Sequence, residues 1–295
     1  MQDDKILVSE DINEYWGGEW TETKNDIVYK YANAYLQIMK DKKYWKLLYF
    51  DGFAGEGIVK GLDEKSQDMK ERFSSAFRII EIDKPRSFDM YYLVELNKKK
   101  AKELDDNINS KFLKKTKSIF IISEDCNKKL VDMSKYLQSK NGQKTKVLAF
   151  VDPYGMEINW ESIECLKGLS IDLWILLPTG IGINRLLKRD GNISDEWMIK
   201  LEKALGLSSK IIKDYFYKKE IENTLFGEIS FTKKQENSID KIVSLYKDRL
   251  SEIFEYVSNP YELKNSNGNK MYHLLLASNN KTAQKIANDI IKLKN

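Results

Sequence analysis

Apolar residues in this chain gather into short, nearly continuous runs, and between the runs they recur every three or four positions. The runs are WKLLYFD (45–51), YYLVELN (91–97), SIFIIS (118–123), KVLAFVDP (146–153) and IDLWILLP (171–178). None shows the strict alternation of a strand with one wet face, so each reads as a strand covered on both sides. Ahead of the first run, Ile27, Tyr31, Ala34, Tyr35 and Ile38 fall at helical spacing and predict an amphipathic helix. Strands alternating with helices imply β-α-β crossovers and a mostly parallel sheet. The chain therefore reads as α/β and doubly wound. Its ligand site is expected beyond the carboxyl ends of the strands, near the topological switch point.

Residues 1–184 hold these runs and the leading helix. From Arg185 to Pro260 the pattern is helical and rich in lysine, with Ile239, Ile242, Val243, Tyr246, Leu250, Ile253 and Phe254 on one face. Residues 185–260 are thus expected to be a helical insertion packed on the sheet, a place for substrate recognition or a partner. Residues 261–295 return to the core. YELKNSNGNKMYHLLLAS reads there as a hairpin around Asn267 and Gly268, and a helix follows it.

Composition narrows the function classes. The chain has 295 residues, of which 42% are hydrophobic, enough to bury a full core. No apolar run approaches the roughly 18 residues of a membrane span. The opening MQDDKILVSEDINEYW is acidic and lacks the basic start and apolar stretch of a secretory signal, which gives a cytoplasmic expectation. The 2 cysteines, Cys126 and Cys165, stand apart, and there is 1 histidine, His273, so no metal site is expected. A net charge of +4 permits nucleic-acid binding without requiring it. The lysine clusters NKKKAKEL and KFLKKTKS read either as phosphate contacts or as solvated helix surface. His273, inside an apolar strand, reads as a core residue.

The strand ends carry the chemistry. They fall at Asp51, Glu95 to Asn97, Ser123 to Asn127, Asp152 to Gly155 and Pro178 to Gly180, and acids recur among them. After the first strand comes DGFAGEG. It is not a phosphate-binding Walker loop, because Ile58 and Val59 stand where Lys and Ser or Thr are needed. Nor does it complete a dinucleotide fingerprint, since Lys60 replaces the third glycine. What remains is D-x-F-x-G-x-G, with Asp51, Phe53, Gly55 and Gly57: a backbone bare enough to lie flat on a ligand, after an acid suited to an ammonium group.

That stretch resembles motif I of class I S-adenosylmethionine-dependent methyltransferases, in the F-x-G-x-G form found among amino-methyltransferases. The resemblance implies S-adenosylmethionine as cofactor, held by Asp51, Gly52, Phe53, Ala54, Gly55 and Gly57. It further implies Glu95 on the ribose hydroxyls beside Leu96 and Asn97, and Asp125 on the adenine amine with Cys126 and Asn127 along the adenine edge. Glu95 reads equally as the cap of a helix starting near Asn97, and Asp125 or Asn127 as N-caps. VLAFVDPYG resembles motif IV of adenine and cytosine amino-methyltransferases, D-P-P-Y. There the acid and a proline carbonyl accept from the target amine and the aromatic stacks on the base, which implies Asp152, Pro153 and Tyr154. The second proline is missing and the tyrosine comes one residue early, and the same residues also fit a type I turn.

TKNDIVYKYANAYLQIM, LLYFDGFAGEG, VLAFVDPYGMEINWESIECL, LWILLPTGIGINRLL and YHLLLAS together resemble the three-Cys-motif partner proteins (TcmP) over most of the chain. That family implies a methyltransferase fold and a neighbouring protein bearing three cysteines. The expected acceptor is the exocyclic amine of a nucleic-acid base, flipped out if it lies in a duplex. A protein or small-molecule acceptor, and a partner protein without transfer activity, stand as alternatives.

Overall fold

Four of the five continuous apolar runs become the middle of one sheet, and the fifth, SIFIIS, becomes its edge, with Phe120 45% exposed rather than covered on both sides. A computed structural model describes residues 19–62, 69–224 and 227–294, and the acidic opening at 1–16 lies outside the described residues. In chain order the elements begin with helix α1 (Glu19–Met39), strand β1 (Lys46–Asp51), the pair β2 (Ile58–Leu62) and β3 (Met69–Phe73), and α2 (Ser75–Ile80). Next come β4 (Met90–Val94), α3 (Lys98–Lys111), β5 (Ile119–Ile122), α4 (Cys126–Gln138), β6 (Thr145–Val151), α5 (Trp160–Glu164) and β7 (Ile171–Leu177). A π-helical turn at Thr179–Ile183 leads into α6 (Asn184–Leu186), α7 (Asp195–Leu205) and α8 (Ser209–Phe216), then β8 (Tyr217–Thr224) and β9 (Gly227–Lys234). The chain closes with α9 (Ser238–Ser251), β10 (Tyr256–Val257), β11 (Tyr261–Lys264), β12 (Lys270–Ser278) and α10 (Lys281–Lys292).

The main sheet runs β10-β12-β7-β6-β1-β4-β5, with β11 also pairing β12. Strands β5, β4, β1, β6 and β7 are parallel, whereas β12 is antiparallel to β7, β10 and β11. This is the doubly wound, mostly parallel, Rossmann-like sheet expected from the sequence, with β12 as a reversed final strand. Chain order departs outward on both sides of β1 and β6, so the switch point lies between those strands.

Alternate residues of the strands feed two cores. Leu48, Phe50, Val147, Ala149, Leu173 and Ile175 face α4, α5 and α7 to α9, whereas Leu47, Tyr49, Leu93, Leu148, Phe150 and Trp174 face α1, α2, α3 and α10. Burial on both faces is why these strands read as unbroken apolar runs. Along α1 the buried stripe is Ile27, Val28, Tyr31, Ala32, Tyr35, Leu36 and Met39, while Ile38 is 42% exposed. The predicted stripe is therefore rotated at Ala34 and Ile38, because a helix buried along a broad band takes i, i+1 and i+4 together. The partly buried Asp172 on β7 pins α1 down: it accepts from the Tyr31 hydroxyl at 2.8 Å and from Ser278 Oγ at 2.5 Å.

The 185–260 segment is not wholly helical. Helices α7, α8 and α9 are present, and Ile242, Val243, Tyr246, Leu250, Ile253 and Phe254 are buried as expected. Between α8 and α9, however, β8 and β9 form an antiparallel hairpin. Its apolar residues Ile221 and Ile229 point outward, at 66% and 54% exposure, so main-chain pairing rather than a buried face defines these strands. The other hairpin, β11–β12, matches expectation and turns at Gly268 with φ +77°.

Candidate functional site

Three features collect at the carboxyl ends of β1, β4 and β6. The first is the glycine loop. Leaving β1, the Gly52 N–H donates to the Phe150 carbonyl of β6 at 2.8 Å, and the Ala54 N–H donates to the Val94 carbonyl of β4 at 2.9 Å. The loop is thus strapped to both neighbouring strands. Gly55 and Gly57 adopt φ values of +62° and +81°, a region open chiefly to glycine. Their surroundings differ. A Cβ at Gly57 would stand 2.1 Å from the Phe77 ring, whereas one at Gly55 would meet nothing within 4 Å. Gly57 lets the loop pack on α2 and α3, and Gly55 bares the backbone to open space.

The second feature is a set of carboxylates held by backbone donors. Asp51 is fully buried: Oδ2 accepts from the Tyr49 hydroxyl and from Ser75 Oγ, both at 2.9 Å, and Oδ1 accepts from the Phe53 N–H at 3.2 Å. Burial pushes its carboxyl up to about 6, against the pull of those hydrogen bonds and with help from the nearby Asp152 charge. Asp51 thus faces inward and fixes the loop from beneath. Glu95 clasps the loop from the other side: Oε2 accepts from the Gly55 N–H at 3.1 Å and Oε1 from the Asn97 N–H at 2.8 Å. The helix cap of α3 is Asn97, whose Oδ1 accepts from the N–H groups of Lys99 and Lys100. Leu96, between them, is 67% exposed.

Asp125 caps α4 through the Lys128 N–H at 3.2 Å, which is the capping alternative read from the sequence. Asn127 bridges α4 to the chain after β6, donating to the Glu157 carbonyl and accepting from the Asn159 N–H, each at 2.8 Å. Cys126 is buried against Gly52, where a Cβ would lie 2.6 Å from its sulfur, and burial pushes its thiol well up. It is packing, not a nucleophile.

The third feature is the end of β6. Pro153 is buried, Asp152 is partly exposed, and Tyr154 is 41% exposed. The turn is held by the Gly155 N–H donating to Glu157 Oε2 at 2.6 Å and by the Tyr272 hydroxyl donating to the Tyr154 carbonyl at 3.4 Å. Behind it, toward α9, Pro153, Met156, Pro178 and Tyr246 enclose only about 20 Å³, room for a single water.

One participant is absent from the sequence reading. Lys24 of α1 is buried, with its side chain 5% exposed, and its Nζ donates to Asp152 Oδ2. The Trp20 and Phe150 ring centroids lie 5.3 Å and 5.9 Å from that nitrogen. Trp20 in turn stacks on Tyr272, 5.1 Å between centroids. The available signal was a lysine on the apolar stripe of α1, one turn before Val28.

His273 is buried and bonded through Nδ1 to Thr179 Oγ1 at 2.8 Å, and burial pulls its pKa down. It belongs to the core. An open groove of about 370 Å³ lies beside it, between α9 and the β11–β12 hairpin. Among the described residues no cluster of His, Cys, Asp or Glu is placed to hold a metal, and no helix is long and apolar enough to cross a membrane.

No protein-family model matches this chain, and no curated protein is significantly similar to it. Among solved structures, protein LPL1258 of Legionella pneumophila strain Philadelphia 1 is similar at TM-score 0.43 and 16% identity, covering 89% of this chain and 98% of that one. Trm1 of Pyrococcus horikoshii, in complex with S-adenosyl-L-methionine, is similar at TM-score 0.36 and 13% identity, covering 87% of this chain and 62% of that one. A conserved hypothetical protein of Streptococcus pyogenes is similar at TM-score 0.31 and 16% identity, over 69% of this chain and 94% of that one.

Proposed function

We propose that this chain is an S-adenosylmethionine-dependent methyltransferase acting on an amine nitrogen. The observation that carries the reading is the β1 loop, strapped to both neighbouring strands, clasped by Glu95 and bare at Gly55. A loop so constrained, yet open on one side, is pre-organised to receive a flat ligand against its backbone. The residues fit this cofactor. Glu95 keeps lone pairs for ribose hydroxyls, exposed Leu96 offers an apolar face to adenine, and Asp125 stands at the next strand end. Phe53 and Ala54 pack the loop onto the two cores between Asp51 and Gly55. When bound, S-adenosylmethionine supplies an electrophilic methyl: the N–C bond forms as the C–S bond breaks, and the amine proton leaves to water.

At the end of β6, Asp152 and the Pro153 carbonyl are the acceptors that hold the target amine and localise its lone pair. The Tyr154 ring, 41% exposed and two residues after Asp152, supports a nucleic-acid base as acceptor. The Lys24 contact supports a second acceptor class, an amine of a protein or small molecule, because Asp152 already holds an ammonium. The three-cysteine protein implied by the sequence resemblance is proposed as a partner, tested by co-purification of the two chains.

Asp152→Ala tests the assignment. Calorimetric titration with S-adenosylmethionine, paired with transfer of a labelled methyl to RNA, DNA and lysine-rich peptide, should show binding kept and transfer lost. Binding by the wild-type chain without transfer to any of these acceptors would favour a partner protein that has kept the fold alone.

A further inference from the structure

Lys24 is a buried cation contributed by a helix outside the strand-end motifs. Its nitrogen meets one carboxylate, Asp152, and two aromatic rings, Trp20 and Phe150. A carboxylate with aromatic faces around one nitrogen is the chemistry that recognises an ammonium, through charge and through the ring quadrupole. This place at the end of β6 is also the one the functional reading gives to the acceptor nitrogen.

We propose that Asp152, Phe150 and Trp20 form an ammonium subsite, that Lys24 is its built-in occupant, and that the acceptor replacing it is a primary aliphatic amine. The inference rests on the reading that Asp152 meets the acceptor. Charge decides the class. An aliphatic ammonium exchanges for Lys24 like for like, whereas a ring-conjugated amine arrives neutral and leaves a poorly solvated carboxylate without its counter-ion. Before transfer such an acceptor passes its extra proton to Asp152 and on to water, so that a neutral amine makes the N–C bond.

The build of α1 allows the exchange. From Ile27 onward the helix is anchored by apolar burial. Ahead of that point Lys24 and Asn25 are buried, and the side-chain ties include the Trp20–Tyr272 stack and the Glu22–Arg78, Lys24–Asp152 and Asp26–Lys294 pairs. Stacks and ion pairs at a helix end are exchangeable without extracting the anchored part.

Lys24→Ala in the full chain removes a propylammonium group, so propylammonium chloride is the probe. At 100 mM it should raise the thermal midpoint of Lys24→Ala by about 3 °C over equal sodium chloride. The Lys24→Ala/Asp152→Asn double variant should show no such rise. Absence of a rise in Lys24→Ala overturns the subsite. If Lys24→Ala does not fold unaided, recovery of a cooperative transition with the probe supports the proposal, and failure to recover overturns it.

Displacement in the wild-type chain separates an acceptor subsite from a structural counter-ion. N-acetyl-lysine methylamide should speed hydrogen exchange at amides 23–27 at least threefold, and N-acetyl-norleucine methylamide should not. Rescue without displacement overturns the acceptor assignment. Titration with S-adenosylmethionine reads the underlying function independently. Ammonium binding without cofactor binding would remove the methyltransferase reading, whereas cofactor binding without ammonium binding would remove only the subsite.

Discussion

Replacing Asp51 by Asn should change how stability depends on pH. Asp51 is 0% exposed, and burial raises its carboxyl from an ordinary 3.8 to about 6. A folded-state pKa above the unfolded one means that the native state binds more protons between those values. Stability from this group is therefore present in acid and lost as pH rises through about 4 to 6. A shift of about two units corresponds to about 3 kcal/mol, most of which falls between pH 4 and pH 7. The amide introduced by Asp51→Asn would not titrate, and any repacking cost would be the same at every pH. Urea unfolding at pH 4, 5, 6 and 7 of both proteins gives the difference directly, with other titrating groups such as Glu262 cancelling. The variant should gain about 2 kcal/mol relative to wild type from pH 4 to pH 7. A difference flat to within about 0.5 kcal/mol would refute the claim that a buried, ionisable Asp51 lies under the loop.

Two glycine substitutions should separate architecture from binding. Gly57→Ala places a Cβ against Phe77 at φ +81° and should cost more than about 2 kcal/mol in urea unfolding. Gly55→Ala meets no neighbour, so it should cost only about 1 kcal/mol of stability while weakening cofactor binding at least tenfold by calorimetry. Asp172→Ala strips the buried Tyr31 and Ser278 hydroxyls of their acceptor and should cost about 2 to 4 kcal/mol, with cofactor affinity in the remaining folded protein unchanged. Tyr31→Phe, which removes one of those two hydrogen bonds, should cost about half as much in the same assay.

How much of this was legible in the sequence follows from where each interaction gets its energy. The runs at β1, β4, β6 and β7 were plain because burial on both faces demands continuous apolar side chains, whereas the equally apolar run at β5 is an edge strand. The β11–β12 turn was plain because Asn-Gly chemistry is local. The β8–β9 hairpin was not, since its strands are bounded by lysines and glutamates and its ladder is main chain to main chain. Nor was the role of Asp51: its position was evident, but the enclosure by Tyr49 and Ser75 depends on where α2 packs. Lys24 and Asp152 lie 128 residues apart, and no local pattern announces that pair.

The most direct measurement is calorimetric titration of the full chain with S-adenosylmethionine and S-adenosylhomocysteine, repeated with Glu95→Ala and Gly55→Ala. Micromolar binding to the wild-type chain, weakened at least tenfold by each substitution, is the expected result. No binding at millimolar ligand, or binding that both substitutions leave intact, would contradict the assignment of the β1 loop and Glu95 as a cofactor site.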